Sequence, residues 1–126
     1  VGSNTAIHLV IFNFSGFFRP VDNPPVLNVV KAGWIIPVRF SLNGYQGLNI
    51  FAPGYPKSQI IACSATAQEV DVDETTATSP GLLIYNPFTD RYIYIWKTDK
   101  SWAGTCRQLI VTLTDGTTHV ANFKFK

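Results

Sequence analysis

Charge is scarce in this chain. Only 14% of its 126 residues are charged, and ten basic against eight acidic side chains leave a net charge of +2. The basic residues are spread from Arg19 to Lys126 with no cluster among them. Nothing resembles a stripe that would track a phosphate backbone, so nucleic acid is not an expected partner. Long hydrophobic runs are missing too. The longest, such as residues 9–12, are strand-sized, and membrane insertion is not expected. Methionine is absent altogether, and no signal peptide opens the sequence. The chain is therefore expected to be a mature or excised piece of a longer protein. Histidine is limited to His8 and His119, and cysteine to Cys63 and Cys106.

What is abundant is apolar and aromatic. Hydrophobic residues make up 46% of the chain, and nine Phe, five Tyr and three Trp supply large rings. That composition excludes a disordered tail and suits sheets with a dense core. Short apolar runs recur between turn residues. They are AIHLVIFNF at residues 6–14, VLNVVK, IIPVRFSL, SQIIAC, LLIY, RYIYIWK, TCRQLIVTL and TTHVANFKF. LLIY and RYIYIWK flank a five-residue NPFTD loop, and the last two runs flank Asp115-Gly116, a strong hairpin signal. Tyr92, Tyr94 and Trp96 share one face and Ile93 and Ile95 the other, which predicts a central or doubly covered strand. FSGFFRPVDNPP reads as a link between sheets, and YQGLNIFAPGYPKS as a long, ordered loop. No window carries capped helical periodicity. The pattern predicts one all-β domain over residues 1–126, a two-sheet immunoglobulin-like sandwich of about 7–9 antiparallel strands.

One strand contains an obstacle. In GWIIPVRFSLNG, residues 33–44, Ile36, Val38, Phe40 and Leu42 share a face, and Trp34 joins them if the register is unbroken. Pro37 sits among them without an N–H. Proline is tolerated at sheet edges and bulges, so Pro37 predicts one or the other, and a bulge would shift Trp34 off the core face.

Each cysteine ends a strand-like run, in SQIIAC and CRQLIVTL. Two unrelated buried thiols would suit a reducing compartment; one bridge would suit an oxidising one. A Cys63–Cys106 disulfide is the expectation, and by the loop-entropy model it contributes roughly 4 kcal/mol. Cys106 is out of phase with Leu109, Val111 and Leu113 by period two, so a bulge near Arg107–Gln108 is expected to bring it onto their face. Trp96 is then expected in the core beside the bridge.

Chemistry-bearing patterns are few. His8 and His119 fall in the first and last runs and read as outward-facing strand residues. No serine sits in a nucleophile elbow, and no glycine-rich loop cradles phosphate. Asp22, Asp90, Asp99 and Asp115 each lie in a turn phrase. No catalytic residues, metal ligands or cofactors are assigned. Glu69, Asp71 and Asp73 alternate and, with Glu74, form the one acidic segment; Ca²⁺ is the hard cation such carboxylates would suit, but EF-hand spacing is missing and a solvated acidic face is expected. Trp34, Tyr45, Phe51, Tyr55 and Trp102 are the ring-bearing residues that could stack on a sugar. The alternative is that they pack loops onto the sandwich, with Trp102 covering the core near Cys106.

Several phrases together resemble a bacterial module, the PxKF domain. They are KAGWIIPVRFSLNG, QGLNIF, GYPKSQ, YIYIWKTDKSWAGTCRQLIVTLTDGT and HVANFKF, covering the chain from about Phe14 to its end. The Lys of the name motif is Arg39 here, which keeps the charge but removes any nucleophilic amine, as an isopeptide crosslink would need. The resemblance implies a secreted or cell-surface protein in which this is a C-terminal, monomeric module beside other domains. It carries no catalytic activity, so a structural or adhesive role is expected, with polysaccharide binding as the alternative.

Overall fold

Alternation of Ile36, Val38 and Phe40 with smaller or polar neighbours builds the central strand of the first sheet. The computed structural model describes residues 11–72 and 81–126. Nine strands are described: β1 (Phe17–Phe18), β2 (Leu27–Val30), β3 (Ile35–Phe40), β4 (Lys57–Ile61), β5 (Glu69–Asp71), β6 (Leu83–Asn86), β7 (Arg91–Lys97), β8 (Cys106–Thr112) and β9 (Thr118–Phe125). They form a four-stranded sheet, β1-β3-β7-β6, and a five-stranded sheet, β4-β8-β9-β2-β5. The core lies between them. Phe17, Ile36, Val38, Phe40, Tyr92 and Trp96 meet Val30, Leu109, Val111, Ala121, Phe123 and Phe125.

Pro37 marks a local edge, with no bulge. The β3–β7 register runs unbroken from Ile35↔Lys97 to Phe40↔Tyr92. The N–H of Thr98 donates to the carbonyl of Trp34, one step before that ladder. Hydrogen-bonded pairs alternate in an antiparallel ladder, so Pro37↔Ile95 is a non-bonded pair and the proline nitrogen faces away from β7. On that side β1 pairs only with Arg39 and Phe40. Among the described residues the proline occupies a stretch with no neighbour to require its N–H. Trp34 stays in phase and packs against the core. β7 is central, as its pattern predicts, and Ile95 on the face turned away from the core is still only 2% exposed.

Three expectations need correction. First, β2 runs parallel to both β9 and β5, so the sheets are not wholly antiparallel. All four residues of β2 are buried. It inserts between two strands and has both faces covered, the environment of a parallel strand. Asn28 is fully buried there, and its side-chain amide exchanges hydrogen bonds with the backbone of Asp22 and donates to the Asn122 carbonyl. Second, the β6–β7 loop has four residues, because Asn86 is still paired with Arg91. Third, residues 11–14 form no strand; residues 6–10 of that expected run lie outside the described residues. Phe12 and Phe14 pack against the core, and the Phe12 N–H donates to Asp115 Oδ2 at 2.9 Å in place of a ladder.

The long loop after β3 is ordered, as expected. Ile50 is buried, Phe51 bridges Leu113, and the Ile50 carbonyl accepts from the Thr114 N–H at 2.8 Å. Residues 19–26, which begin within the expected linker and end one residue past it, connect β1 in one sheet to β2 in the other.

Candidate functional site

The disulfide is present, with Cα atoms 5.4 Å apart. Its place in the fold differs from expectation. The β8–β9 register is continuous from Cys106↔Lys124 to Thr112↔Thr118, so no bulge returns Cys106 to the core face. Cys106 shares the outer face of the five-stranded sheet with Gln108 and Ile110, yet is only 1% exposed because Cys63 covers it. Trp96 is in the core, against Phe123 at 4.9 Å, with the sheet between it and the bridge. The disulfide joins the segment just after β4 to the first residue of β8 and does not tie the two sheets together.

The five candidate aromatics do not converge. Trp34 and Trp102 lie at the end of the sandwich where β7 finishes. Trp102 follows Lys100 in a single 3-10 turn capped by Asp99. It packs on Trp96 at 5.9 Å and Phe125 at 5.3 Å, with the Arg107 guanidinium 4.2 Å from its ring centre. It covers the core as expected. Phe51 lies towards the opposite end, half-buried against Phe40 and Tyr94. Tyr55 leads into β4 beneath the Lys57 ammonium. Tyr45 alone presents most of its surface, at 57% exposed, and is backed by Tyr85 at 4.8 Å and Tyr92 at 6.2 Å.

Around Tyr45 is a polar network that the sequence phrases do not announce. Asp90 closes the β6–β7 loop with a positive φ of 53°. Its carboxylate accepts from the Tyr85 hydroxyl at 2.7 Å, the Gly44 N–H at 3.0 Å and the Ser41 hydroxyl at 3.1 Å. The Tyr85 hydrogen bond, more than the others, holds the Asp90 carboxyl below its ordinary range. The same bond pushes the Tyr85 phenol up to about 12. The Tyr92 hydroxyl accepts from the Gln46 N–H and donates to the Gly47 carbonyl, both at 2.7 Å. Three groups on the β6–β7 hairpin thus fix the loop from Ser41 to Gly47. Phe88, at the hairpin tip, is 97% exposed. Its only sequence signal is a phenylalanine between turn residues.

A second cluster joins Asp115, Thr117 and His119. His119 pairs with Val111 and so faces inward, a correction to the outward reading; His8 lies outside the described residues. The sheet ends there, and the Phe14 ring fills the space, stacked on the imidazole at 3.7 Å. The Thr117 hydroxyl donates to Asp115 Oδ1 at 2.6 Å and lies 2.9 Å from His119 Nε2. Its one hydrogen is committed to the carboxylate, so Nε2 carries the hydrogen of the second contact. The order is carboxylate, hydroxyl, imidazole. In a nucleophilic triad the imidazole stands between the other two and takes the hydroxyl proton. This arrangement holds a chain segment and does not activate Thr117. Burial works to raise the Asp115 carboxyl, but donors from Thr117 and Phe12 outweigh it and hold the group low. Burial also lowers His119, against a smaller opposing pull from Asp115.

Asp99 and Asp115 accept N–H groups of their own turns, as their phrases suggest, whereas Asp90 reaches across to Gly44, and Asp22 meets Asn28 through its backbone. Of the acidic segment, Glu69 pairs with Lys124 at 3.0 Å and Asp71 with Lys126 at 3.8 Å, while Asp73 and Glu74 lie outside the described residues. Among the described residues no three His, Cys, Asp or Glu side chains gather as a metal site would require. No helix among them is long and apolar enough to cross a membrane. No family model matches the chain, and no curated protein or solved structure is detectably similar to it.

Proposed function

We propose that this chain is a non-enzymatic structural or adhesive module of an extracellular or cell-surface bacterial protein, an immunoglobulin-like domain of the PxKF type whose partners are the neighbouring domains of its parent. One observation carries the reading. The groups best suited to chemistry are taken up in fixing loops to the sheets: Asp90 and Tyr92 hold residues 41–47, and Asp115 holds Phe12. The disulfide supports an oxidising location. Such a frame suits spacing and presenting other domains under load.

The test is replacement within the parent protein. Exchanging this module for an unrelated disulfide-bonded sandwich of equal length is expected to preserve surface display and adhesion, whereas deletion impairs them. Loss of adhesion after exchange, with display intact, would overturn the spacer reading and leave the adhesive one.

The second reading is a carbohydrate-binding module. The exposed Tyr45 ring, held rigid by Tyr85 and Tyr92, favours it. A glycan array with the isolated domain is the measurement. Binding that disappears in Tyr45→Ala would establish this reading in place of the first, and silence across neutral polysaccharides would remove it.

A further inference from the structure

The connection from β4 to β5 is short and has far to go. The two strands form opposite edges of the five-stranded sheet. β4 is antiparallel to β8, which is antiparallel to β9, so β4 runs in the same direction as β9, β2 and β5. A parallel connection must cross a face of the sheet. Four strand spacings are about 19 Å, within reach of seven residues even with the turn that the Ala67 N–H closes on the Ser64 carbonyl. Residues 62–68, ACSATAQ, make this crossing over the outer face, tied near the start by the Cys63–Cys106 bridge and at the end by the Leu27 N–H donating to the Gln68 carbonyl at 2.8 Å.

The side chains of this strap are too small to fill the space it spans. A half-open pocket of about 500 Å³ lies between the strap and its neighbours. Pro24, Pro25, Leu27 and Ile61 give it apolar walls, Gln68 and Asn122 contribute amides, and none of its lining residues is charged. Asn122 is oriented by a row of amides across three strands. Gln59 Nε2 donates to Gln108 Oε1 at 3.3 Å, and Gln108 Nε2 donates to Asn122 Oδ1 at 3.1 Å. That row engages the Asn122 oxygen and leaves its Nδ2 without a partner among the described residues.

We propose that the cavity under the strap is a binding site for an uncharged small molecule with an apolar body and a carbonyl acceptor. Its volume lies in the range of ligand pockets, about 300–1,000 Å³. Neutral walls disfavour an ion, whose lost hydration nothing there would replace. The apolar walls take the body of the ligand, and Asn122 Nδ2 takes its acceptor. Tethers at both ends of the strap hold the site open before the ligand arrives. The inference is independent of the spacer reading, which stands or falls on exchange within the parent.

The probe is prodan, a neutral naphthalene ketone whose emission shifts to the blue when it leaves water. Titrating it against the oxidised chain is expected to give a saturable blue shift. Amide spectra of the ¹⁵N-labelled protein are expected to change at Leu27, Gln68 and the Asn122 side-chain NH₂. Ala67→Phe fills the cavity and is expected to weaken binding at least tenfold; Asn122→Ala removes the donor and weakens it several-fold. The labelled wild-type spectra need no variant to fold. No saturation within the solubility of the probe, or spectral changes confined to the Tyr45 end, would overturn the proposal.

Discussion

The two ends of this sandwich are closed by different physics. At the end where β7 finishes, Trp96, Trp102, Phe123 and Phe125 form one ring cluster. Thr98 braces the entry to β3 through its hydroxyl, which donates to the Trp34 carbonyl at 2.6 Å and accepts from the Gly33 N–H at 3.0 Å. At the other end, carboxylates hold the loops: Asp90 gathers residues 41–44 and Asp115 fastens Phe12. The four rings themselves carry no group that titrates. The carboxylate end depends on ionised groups whose hydrogen bonds are made only in the folded chain. One core therefore has one end held mainly by ionised groups and one held mainly by rings, where the Asp99 carboxylate caps the single turn that carries Trp102.

The largest effect should come from the ring end. Trp96→Ala removes the side chain on which three other rings converge and is expected to cost roughly 3–5 kcal/mol, measured by urea unfolding. That is a large share of a typical stability of about 5–15 kcal/mol. A loss under about 1 kcal/mol would show that this cluster does not carry the end.

Next is the bridge. Replacing both Cys63 and Cys106 by Ser opens a link between residues 43 apart in sequence. The expected loss is about 4 kcal/mol by the loop-entropy model. Because the disulfide clips the strap onto one sheet, amide exchange should accelerate first in residues 62–68, ahead of the ring cluster. Simultaneous acceleration everywhere would mean the bridge acts only on the unfolded chain.

At the carboxylate end the effect is smaller. Asp90→Ala leaves three donors without their acceptor and is expected to lower the urea midpoint by less than either change above. Asp90→Asn should cost less, since it keeps an acceptor and tolerates the positive φ at this position. The Asp90 carboxyl is depressed, so its contribution is present above the ordinary carboxylate pKa and is lost as pH falls through the lower folded value. Amide exchange at Gly44 and Gln46, compared between pH 5 and pH 3, should rise at this end before it rises around Trp96.

Legibility in the sequence also divides along this line. The ring end is written in alternation: Trp96, Phe123 and Phe125 fall on the predicted faces because a strand's period is local. Both hairpins followed from turn chemistry, and the acceptance of Pro37 from its missing N–H. The carboxylate end was hidden because each aspartate has an adequate local reading as a turn residue. That Asp90 also meets Ser41 and Gly44 depends on which strands become neighbours. The parallel insertion of β2 was hidden for the same reason, since LNVV carries no mark of strand direction. The strap was hidden by both: its crossing follows from sheet order, and the phase of Cys106 was misread through an expected bulge. The sequence motifs pointed to the aromatic candidates but could not show that they divide between two ends.

The smallest effect sharpens the comparison most. His119 belongs to the carboxylate end, stacked on Phe14 and close to Thr117 and Asp115. Burial keeps its folded pKa below the ordinary 6.5. The unfolded chain therefore binds a proton before the folded chain does, and stability falls as pH drops below about 6.5 until the folded imidazole also protonates. Asp115 opposes this shift, so neutralising it by Asp115→Asn should deepen the loss. His119→Gln should abolish it, and the difference between variant and wild type cancels any contribution from His8. The measurement is the urea midpoint from pH 8 to pH 5 for the three proteins. Identical slopes for wild type and His119→Gln would show that the imidazole is already solvated, and that Phe14 does not seal this end.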